Sequence, residues 1–179
     1  CASAPLSVTI TQPSAVSIAL TSQTNLLCFG ASTGAIDITA SGGVAPYTYD
    51  WADVAGTSNT EDRNGLAAGT YTVTVRDANS CASAPLSVTI TQPAAALSAS
   101  GIVTNSSCGL SNNGSIDLSV VGGTPSYSYL WTNGAATEDI SGLAQNTYSV
   151  TVTDNNLCSA SIAVIISEPL ALSFTESHA

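Results

Sequence analysis

Lysine is absent from these 179 residues, and Arg63 and Arg76 are the only strong bases against twelve carboxylates, for a net charge of −10. Contact with nucleic-acid phosphates needs clustered Lys and Arg, so nucleic acid is excluded as a partner. The same deficit removes any polybasic contact with anionic lipid. No apolar run approaches the roughly 20 residues that span a bilayer, so membrane insertion is not expected either. Charged residues make up only 8% of the chain, against about 25% in an ordinary soluble domain. Thr, Ser and Asn must therefore carry the solvent faces, and β-branched Thr suits the outward positions of a strand. Apolar spacing of the i, i+3, i+4 kind is also missing, and Gly or Pro punctuates every gap, which predicts almost no helix.

What the chain does have is a repeat. Its opening segment, Cys1–Pro13 (CASAPLSVTITQP), recurs letter for letter as Cys81–Pro93. Cys28, Asp37, Gly42, Gly43, Tyr47, Tyr49 and Trp51 recur as Cys108, Asp117, Gly122, Gly123, Tyr127, Tyr129 and Trp131. After a short deletion, Leu66, Tyr71, Val73, Val75, Asp77 and Cys81 match Leu143, Tyr148, Val150, Val152, Asp154 and Cys158. The chain accordingly reads as the last strand of a preceding repeat (1–13), two full repeats (14–93 and 94–169) of about 80 residues each, and the first strand of a following repeat (170–179). Function is to be sought in the array.

Period-two alternation dominates each full repeat. In the first it runs Val16, Ile18, Leu20; Ile36, Ile38, Ala40; Tyr47, Tyr49, Trp51; Tyr71, Val73, Val75; and Leu86, Val88, Ile90. With a short strand near Thr60 to Arg63, each repeat offers six or seven strands at sandwich spacing, predicting an all-β chain of tandem immunoglobulin-like (PKD or fibronectin III-like) β-sandwiches. Leu66-Ala-Ala-Gly69-Thr-Tyr71 resembles a tyrosine corner, in which a Tyr at the start of strand F bonds back to the preceding turn. Asn146 stands where Gly69 stands, and Gly and Asn most easily take positive φ, so a left-handed turn is expected at both. Trp51, Tyr71, Trp131 and Tyr148 are the expected structural core, and the Gly42-Gly43 and Gly122-Gly123 pairs the turns into strand C.

Five cysteines, one per half-repeat and none in a C-x-x-C pair, fit disulfides in an oxidising compartment better than zinc or redox chemistry. Pairing within each repeat, Cys28 with Cys81 and Cys108 with Cys158, is the default and leaves Cys1 unpaired. A staggered bridge from Cys28 to Cys158 stays open. Cys28 follows strand A and Cys81 follows strand F, and those loops lie at opposite ends of an immunoglobulin-like sandwich.

Candidate chemistry is sparse. Gly30-Ala-Ser32-Thr-Gly34 has the letters of a nucleophile elbow, but the one histidine is His178 and the second repeat has no equivalent serine motif, so a Gly-rich loop is the better reading. Asp77-Ala-Asn79 and Asp154-Asn-Asn156 are weak calcium candidates; their spacing equally suits a tight turn in which Asp bonds its own backbone, and no metal is expected. Asp37 and Asp117 read as outward strand residues. Tyr47, Tyr49 and Trp51 share one strand face, with the sandwich core as their destination rather than a sugar platform. Asn105-Ser-Ser107 and Asn113-Gly-Ser115 are formal glycosylation sequons. No cofactor and no catalytic residue is expected.

The string from Cys28 through Pro93, Cys-Phe-Gly, Gly-x-Ile, Gly-Gly-x-x-Pro-Tyr-x-Tyr-x-Trp, Leu-x-x-Gly-x-Tyr-x-Val-x-Val-x-Asp-x-Asn-x-Cys and Ile-x-Gln-Pro, resembles the SprB repeat of giant cell-surface adhesins in gliding Bacteroidetes. The second repeat departs from it at Asn146 and at Thr124-Pro125-Ser126, where the Pro stands one place earlier. The resemblance implies a filamentous, secreted outer-surface protein used for attachment or gliding. The expected function is a non-catalytic structural and adhesive segment of a stalk or filament, its short Pro-bearing links semi-rigid; the alternative is a carbohydrate-binding accessory module of a secreted protein. Expected partners are neighbouring repeats of the same chain. Lateral copies of the same filament, and surface glycans or substratum, stay open.

Overall fold

The computed structural model describes residues 3–55, 59–107 and 112–169. Every regular element among them is a strand. In chain order these are β1 (Ser17–Thr24), β2 (Gly34–Ser41), β3 (Thr48–Trp51), β4 (Arg63–Leu66), β5 (Gly69–Arg76), β6 (Leu86–Ile90), β7 (Ser98–Thr104), β8 (Gly114–Val121), β9 (Ser128–Trp131), β10 (Ile140–Leu143), β11 (Asn146–Thr153) and β12 (Ser159–Ile166). Two compact units result. The first takes residues up to Leu26 together with Ala31–Thr91, and the second takes Leu27–Gly30 together with the chain from Gln92 onward.

In the first unit a β1-β2-β4 sheet faces a β3-β5-β6 sheet, all pairs antiparallel. The second unit repeats this as β7-β8-β10 and β9-β11-β12. Alternation fills the space between the sheets: Ile36, Ile38, Trp51, Val73, Val75, Val88 and Ile90 are all buried in the first unit. Ile116, Leu118, Trp131, Val150, Val152, Val164 and Ile166 are their counterparts. The fold is therefore an all-β, immunoglobulin-like sandwich in each unit.

The alternate residues face outward, and there hydroxyls pair across strands where most proteins place charges. Ser17 with Ser41 and Thr21 with Thr39 lie 2.9 Å apart, Thr70 with Thr89 3.0 Å, Thr72 with Ser87 2.9 Å and Thr151 with Ser161 3.1 Å. Such cross-strand pairs contribute roughly 0.2–1 kcal/mol each, without needing salt to be low.

The two copies of the opening segment differ in this chain. Residues 3–13 form no strand, whereas the identical residues 83–93 supply β6. Leu6, Val8 and Ile10 are 90%, 74% and 93% exposed, while their counterparts Val88 and Ile90 are 3% and 1%. Strand hydrogen bonds are made to another segment, so alternation specifies which face is apolar but not that a partner is present; β6 has β5, and residues 3–13 pair with no described strand. The expectation of a left-handed turn at Gly69 and Asn146 is corrected, since neither takes positive φ. They open β5 and β11 in extended ladders opposite Ile90 and Ile166. The left-handed residue lies earlier, at Gly65 (φ 66) and Gly142 (φ 71), beside the irregularities where β4 and β10 pair with β2 and β8. The residues 170–179 lie outside the described residues.

Candidate functional site

The most elaborate local structure in either unit is the loop that presents the second cysteine. After β5 the chain turns on Asp77, a buried carboxylate. Its Oδ1 accepts the amides of Asn79 (2.9 Å) and Cys81 (2.8 Å), and its Oδ2 accepts that of Val44 (3.0 Å). Asp154 does the same after β11: Oδ1 takes the amides of Asn156 and Cys158, both at 2.9 Å, and Oδ2 takes Thr124 at 2.8 Å. The backbone closes the loop a second time, with the Asp77 amide donating to the Cys81 carbonyl (3.0 Å) and the Asp154 amide to that of Cys158 (2.9 Å). Ser80 (φ 65) and Leu157 (φ 66) take the left-handed conformation that the loop demands.

Burial works to raise both carboxyls, but the amide donors outweigh it and hold Asp77 and Asp154 below the ordinary carboxylate range. Each carboxylate is thus an anchor for three N–H dipoles, and its lone pairs point at donors. The four residues singled out as weak calcium candidates, Asp77, Asn79, Asp154 and Asn156, form these loops. Among the described residues no group of three or more His, Cys, Asp or Glu gathers as a metal set. A Cβ at Gly43 or Gly123 would press on the carboxylate oxygen at 2.7 Å, which explains the second glycine of each pair.

The cysteines are not paired within the first repeat. Cys28 is bridged to Cys158, with Cα atoms 5.7 Å apart, and Cys81 is exposed and unbridged. The reason lies in unit 1. Just before Cys28, the Leu26 amide donates to the Thr91 carbonyl (2.9 Å) and Asn25 Oδ1 accepts the Thr91 amide (2.9 Å). Thr91 follows β6 at the end where Ile90 faces Gly69, whereas Cys81 lies beyond the Arg76 end of β5. The length of an eight-residue strand, roughly 25 Å, separates the two ends, and a disulfide needs Cα atoms within about 7 Å. The same bridge overturns the default pairing in the second repeat, since Cys158 is taken by Cys28 and is not left for Cys108; Cys1 and Cys108 themselves lie outside the described residues.

Instead the strap Leu27–Gly30 belongs to unit 2. Asn156 Nδ2 donates to the Leu27 carbonyl (3.1 Å), Gln92 Oε1 accepts the Gly30 amide (2.8 Å), and Cys28 and Phe29 line a cleft with Ala96, Leu97, Leu157 and Cys158. The recurrence of Asn25 as Asn105 was the signal for this clamp: Asn105 Oδ1 likewise accepts the Ser167 amide, at 2.9 Å.

The aromatic residues serve the core. Trp51 and Trp131 are buried, their indole N–H groups donating to the Thr60 and Thr137 carbonyls at 2.9 Å. Tyr47 and Tyr127 donate to the Gly42 and Gly122 carbonyls (2.6 and 2.7 Å), and Tyr71 and Tyr148 close tyrosine corners on Ala67 and Ala144 (3.0 and 3.2 Å). Burial and the neighbouring Glu61 push the Tyr49 hydroxyl far up, and burial with Glu138 raises that of Tyr129. Arg63 is held bidentately by Asp53 (both contacts 3.0 Å) with its guanidinium 5.2 Å from the Trp51 ring and 5.7 Å from that of Tyr71. Asp62 and Asp139, not foreseen, cap the β2 and β8 amides of Ile38 (3.1 Å) and Leu118 (2.8 Å). Ser32 lies in the loop before β2, with no helix after it.

Two six-stranded sandwiches with the same corner, core and loop define the class: a tandem array of immunoglobulin-like modules. More particularly, two stretches of the chain, residues 20–56 and 100–136, match the family model of the SprB repeat. No curated protein matches it in sequence. Among solved structures it is similar to the N-terminal eight Ig domains of Down Syndrome Cell Adhesion Molecule, at 12% identity and TM-score 0.42 over 87% of this chain and 25% of that one. It is also similar to domains 1–6 of the surface layer protein SbsC, at 13% identity and TM-score 0.32 over 91% of this chain and 29% of that one. The fibronectin(III)-like modules of Clostridium thermocellum CbhA match at 12% identity and TM-score 0.31, over 90% of this chain and the whole of the other. The chain thus spans about a quarter of the first of these structures. No helix among the described residues is long and apolar enough to cross a membrane.

Proposed function

We propose that the chain is a non-catalytic segment of a longer extracellular array, a stalk or filament exposed on a bacterial surface and serving attachment or gliding. The observation that carries this reading is that everything the two units share is architecture. Core, tyrosine corner, Gly-Gly turn and aspartate-bracketed loop recur position for position, and among the described residues neither unit adds a constellation of reactive side chains to them. The SprB match over both repeats supports a surface role, and the Cys28–Cys158 bridge supports an oxidising compartment. The carbohydrate-binding alternative needs an exposed aromatic platform, and burial of Trp51 (0% exposed) and Trp131 (2%) weighs against it.

The test has two arms. Antibodies raised against the chain should label intact cells of the source, and the chain should bind a glycan array no better than an unrelated acidic β protein. Millimolar or tighter binding to a defined glycan, lost on Tyr47→Ala without unfolding, promotes the carbohydrate-binding reading; labelling only after lysis overturns the surface assignment.

A further inference from the structure

The strap site of unit 2 has a twin in unit 1. In unit 2 the strap is held by Gln92, Ala96, Leu97, Asn156 and Cys158. In unit 1 a cleft of about 310 Å³ is lined by Gln12, Ala15, Val16, Asn79 and Cys81 among others. These are the same positions of the repeat. Gln12 and Gln92 occupy one place in the identical thirteen-residue segments. Ala15 and Ala96 offer the carbonyls that a Cβ on Gly42 or Gly122 would strike, and Val16 and Leu97 pack on Gly43 and Gly123. Asn79 and Asn156 follow the bracketing aspartates at the same step, and both cysteines are presented by the same closed loop, with Ser80 and Leu157 within a degree in φ. Some side chains change, with Leu97 for Val16, Leu157 for Ser80, and Thr124, whose Oγ1 accepts from Asn156 Nδ2 at 2.9 Å, for Val44; the difference that matters is that in unit 2 a Cys-Phe-Gly strap from the other sequence repeat lies in the cleft, and in unit 1 Cys81 is exposed.

We infer that Cys81 and its cleft are the receptor for the Cys28-type strap of the repeat whose closing residues are 1–13, so that each repeat of the array is stapled to the next by a disulfide from the first cysteine of one to the second cysteine of its successor. Gln12 accepts the strap glycine amide, Asn79 donates to the carbonyl preceding the strap cysteine, and Cys81 forms the bond. In that step two thiols lose two protons and two electrons to a disulfide oxidant, which departs as a dithiol; one S–S bond forms in the array and one breaks in the oxidant. A lone cysteine would say little. Here its equivalent, in the same loop and among the same neighbours, is already bridged. The staple does not depend on what the array does at the surface.

The experiment lengthens the chain by duplicating residues 14–93 in tandem, with Cys1→Ser, Cys108→Ser and, in the leading copy, Cys81→Ser. Oxidised protein is alkylated, cleaved after Asp and Glu without reduction, and mapped by mass spectrometry. The leading Cys28 then lies on a peptide ending at Asp37 and starting at residue 1, and the central Cys28 on a longer one starting at Ala78 of the leading copy, so their bridges are distinguishable. The expected map joins leading Cys28 to central Cys81, and central Cys28 to Cys158. Alkylated central Cys81, or its bridging to Cys28 of its own copy, overturns the inference. Should the lengthened chain not form the Cys28–Cys158 bridge, the 179-residue chain with Cys1→Ser and Cys108→Ser decides. A peptide of residues 24–31, activated at Cys28 as a pyridyl disulfide, must couple to Cys81 faster than a scrambled peptide, with the advantage lost in Asn79→Ala; equal rates overturn the inference.

Discussion

Asp154 holds the amide of Cys158 at 2.9 Å, so one buried carboxylate both closes the loop after β11 and presents the sulfur that Cys28 meets. The same relation joins Asp77 to Cys81 at 2.8 Å, where the sulfur is exposed. A turn that costs strain at Ser80 and Leu157 is kept in both units, and three amide donors compensate for it.

That bracket predicts acid sensitivity. The folded carboxyls of Asp77 and Asp154 titrate below their unfolded range, so the stability they contribute is fully present above the unfolded value near 3.8 and is lost as pH falls through the lower folded value. Melting temperature should therefore be flat at neutral pH and drop below the ordinary carboxylate range. Thermal melts of the chain and of Asp77→Asn plus Asp154→Asn across that range check this: the double variant should melt lower at neutral pH and show a smaller acid-induced drop.

Trp51 is 0% exposed and its indole N–H reaches the Thr60 carbonyl. Trp51→Ala should lower the stability of the first unit by about 3–5 kcal/mol, through lost transfer energy and a cavity that the two sheets cannot close. Denaturant unfolding followed by the fluorescence of Trp131, which stays in the second unit, and by circular dichroism separates the two units; a loss under about 1 kcal/mol would contradict the core assignment.

Gly65 and Gly69 should respond oppositely. At Gly65 nothing lies within 4 Å of a would-be Cβ, so only its φ of 66 opposes a side chain, and Gly65→Ala should cost about 1–2 kcal/mol. Gly69 is extended, its would-be Cβ meeting only the Tyr71 ring at 3.9 Å, and Gly69→Asn, the residue of the second repeat, should be near neutral. Equal effects on the urea midpoint would refute the distinction.

Reduction should act on the second unit. The Cys28–Cys158 bridge spans 130 residues of sequence but its two ends belong to unit 2, while unit 1 contains no described disulfide. Cleaving it, or making Cys28→Ser, should destabilise unit 2 by about 3–5 kcal/mol and leave the unit 1 midpoint in place, as read by hydrogen exchange of β11 against β5. Loss of protection in β5 alone would contradict this.

Much of the fold was legible because its determinants are local or periodic. Alternation at Ile36, Ile38 and at Val73, Val75 can bury only one face of a strand, and the Tyr71 and Tyr148 corners carry their acceptors four residues away. The left-handed glycine was misplaced at Gly69 because Gly and Asn share a tolerance for positive φ, yet Asn146 stands there simply because an extended residue with open space accepts any side chain. Of the cleft only the bridge was legible, as the staggered Cys28–Cys158 alternative; the residues that hold the strap, Gln92, Asn156 and Leu27, are far apart in sequence and carry no spacing signature.

The thirteen residues that occur twice separate the two kinds of information. Their order of apolar and polar side chains dictates extended backbone with one face to bury, and that much the chain determines by itself. Whether Leu-Ser-Val-Thr-Ile becomes a strand is decided by β5, which lies beside Leu86–Ile90 and supplies the amides and carbonyls that residues 6–10 lack among the described residues. The cysteines divide in the same way. Composition sets their oxidising chemistry, but the partner of each is chosen by which loops the sandwich brings within reach of a bond only a few ångströms long, and Cys28 finds Cys158 because eight residues of β5 keep it from Cys81.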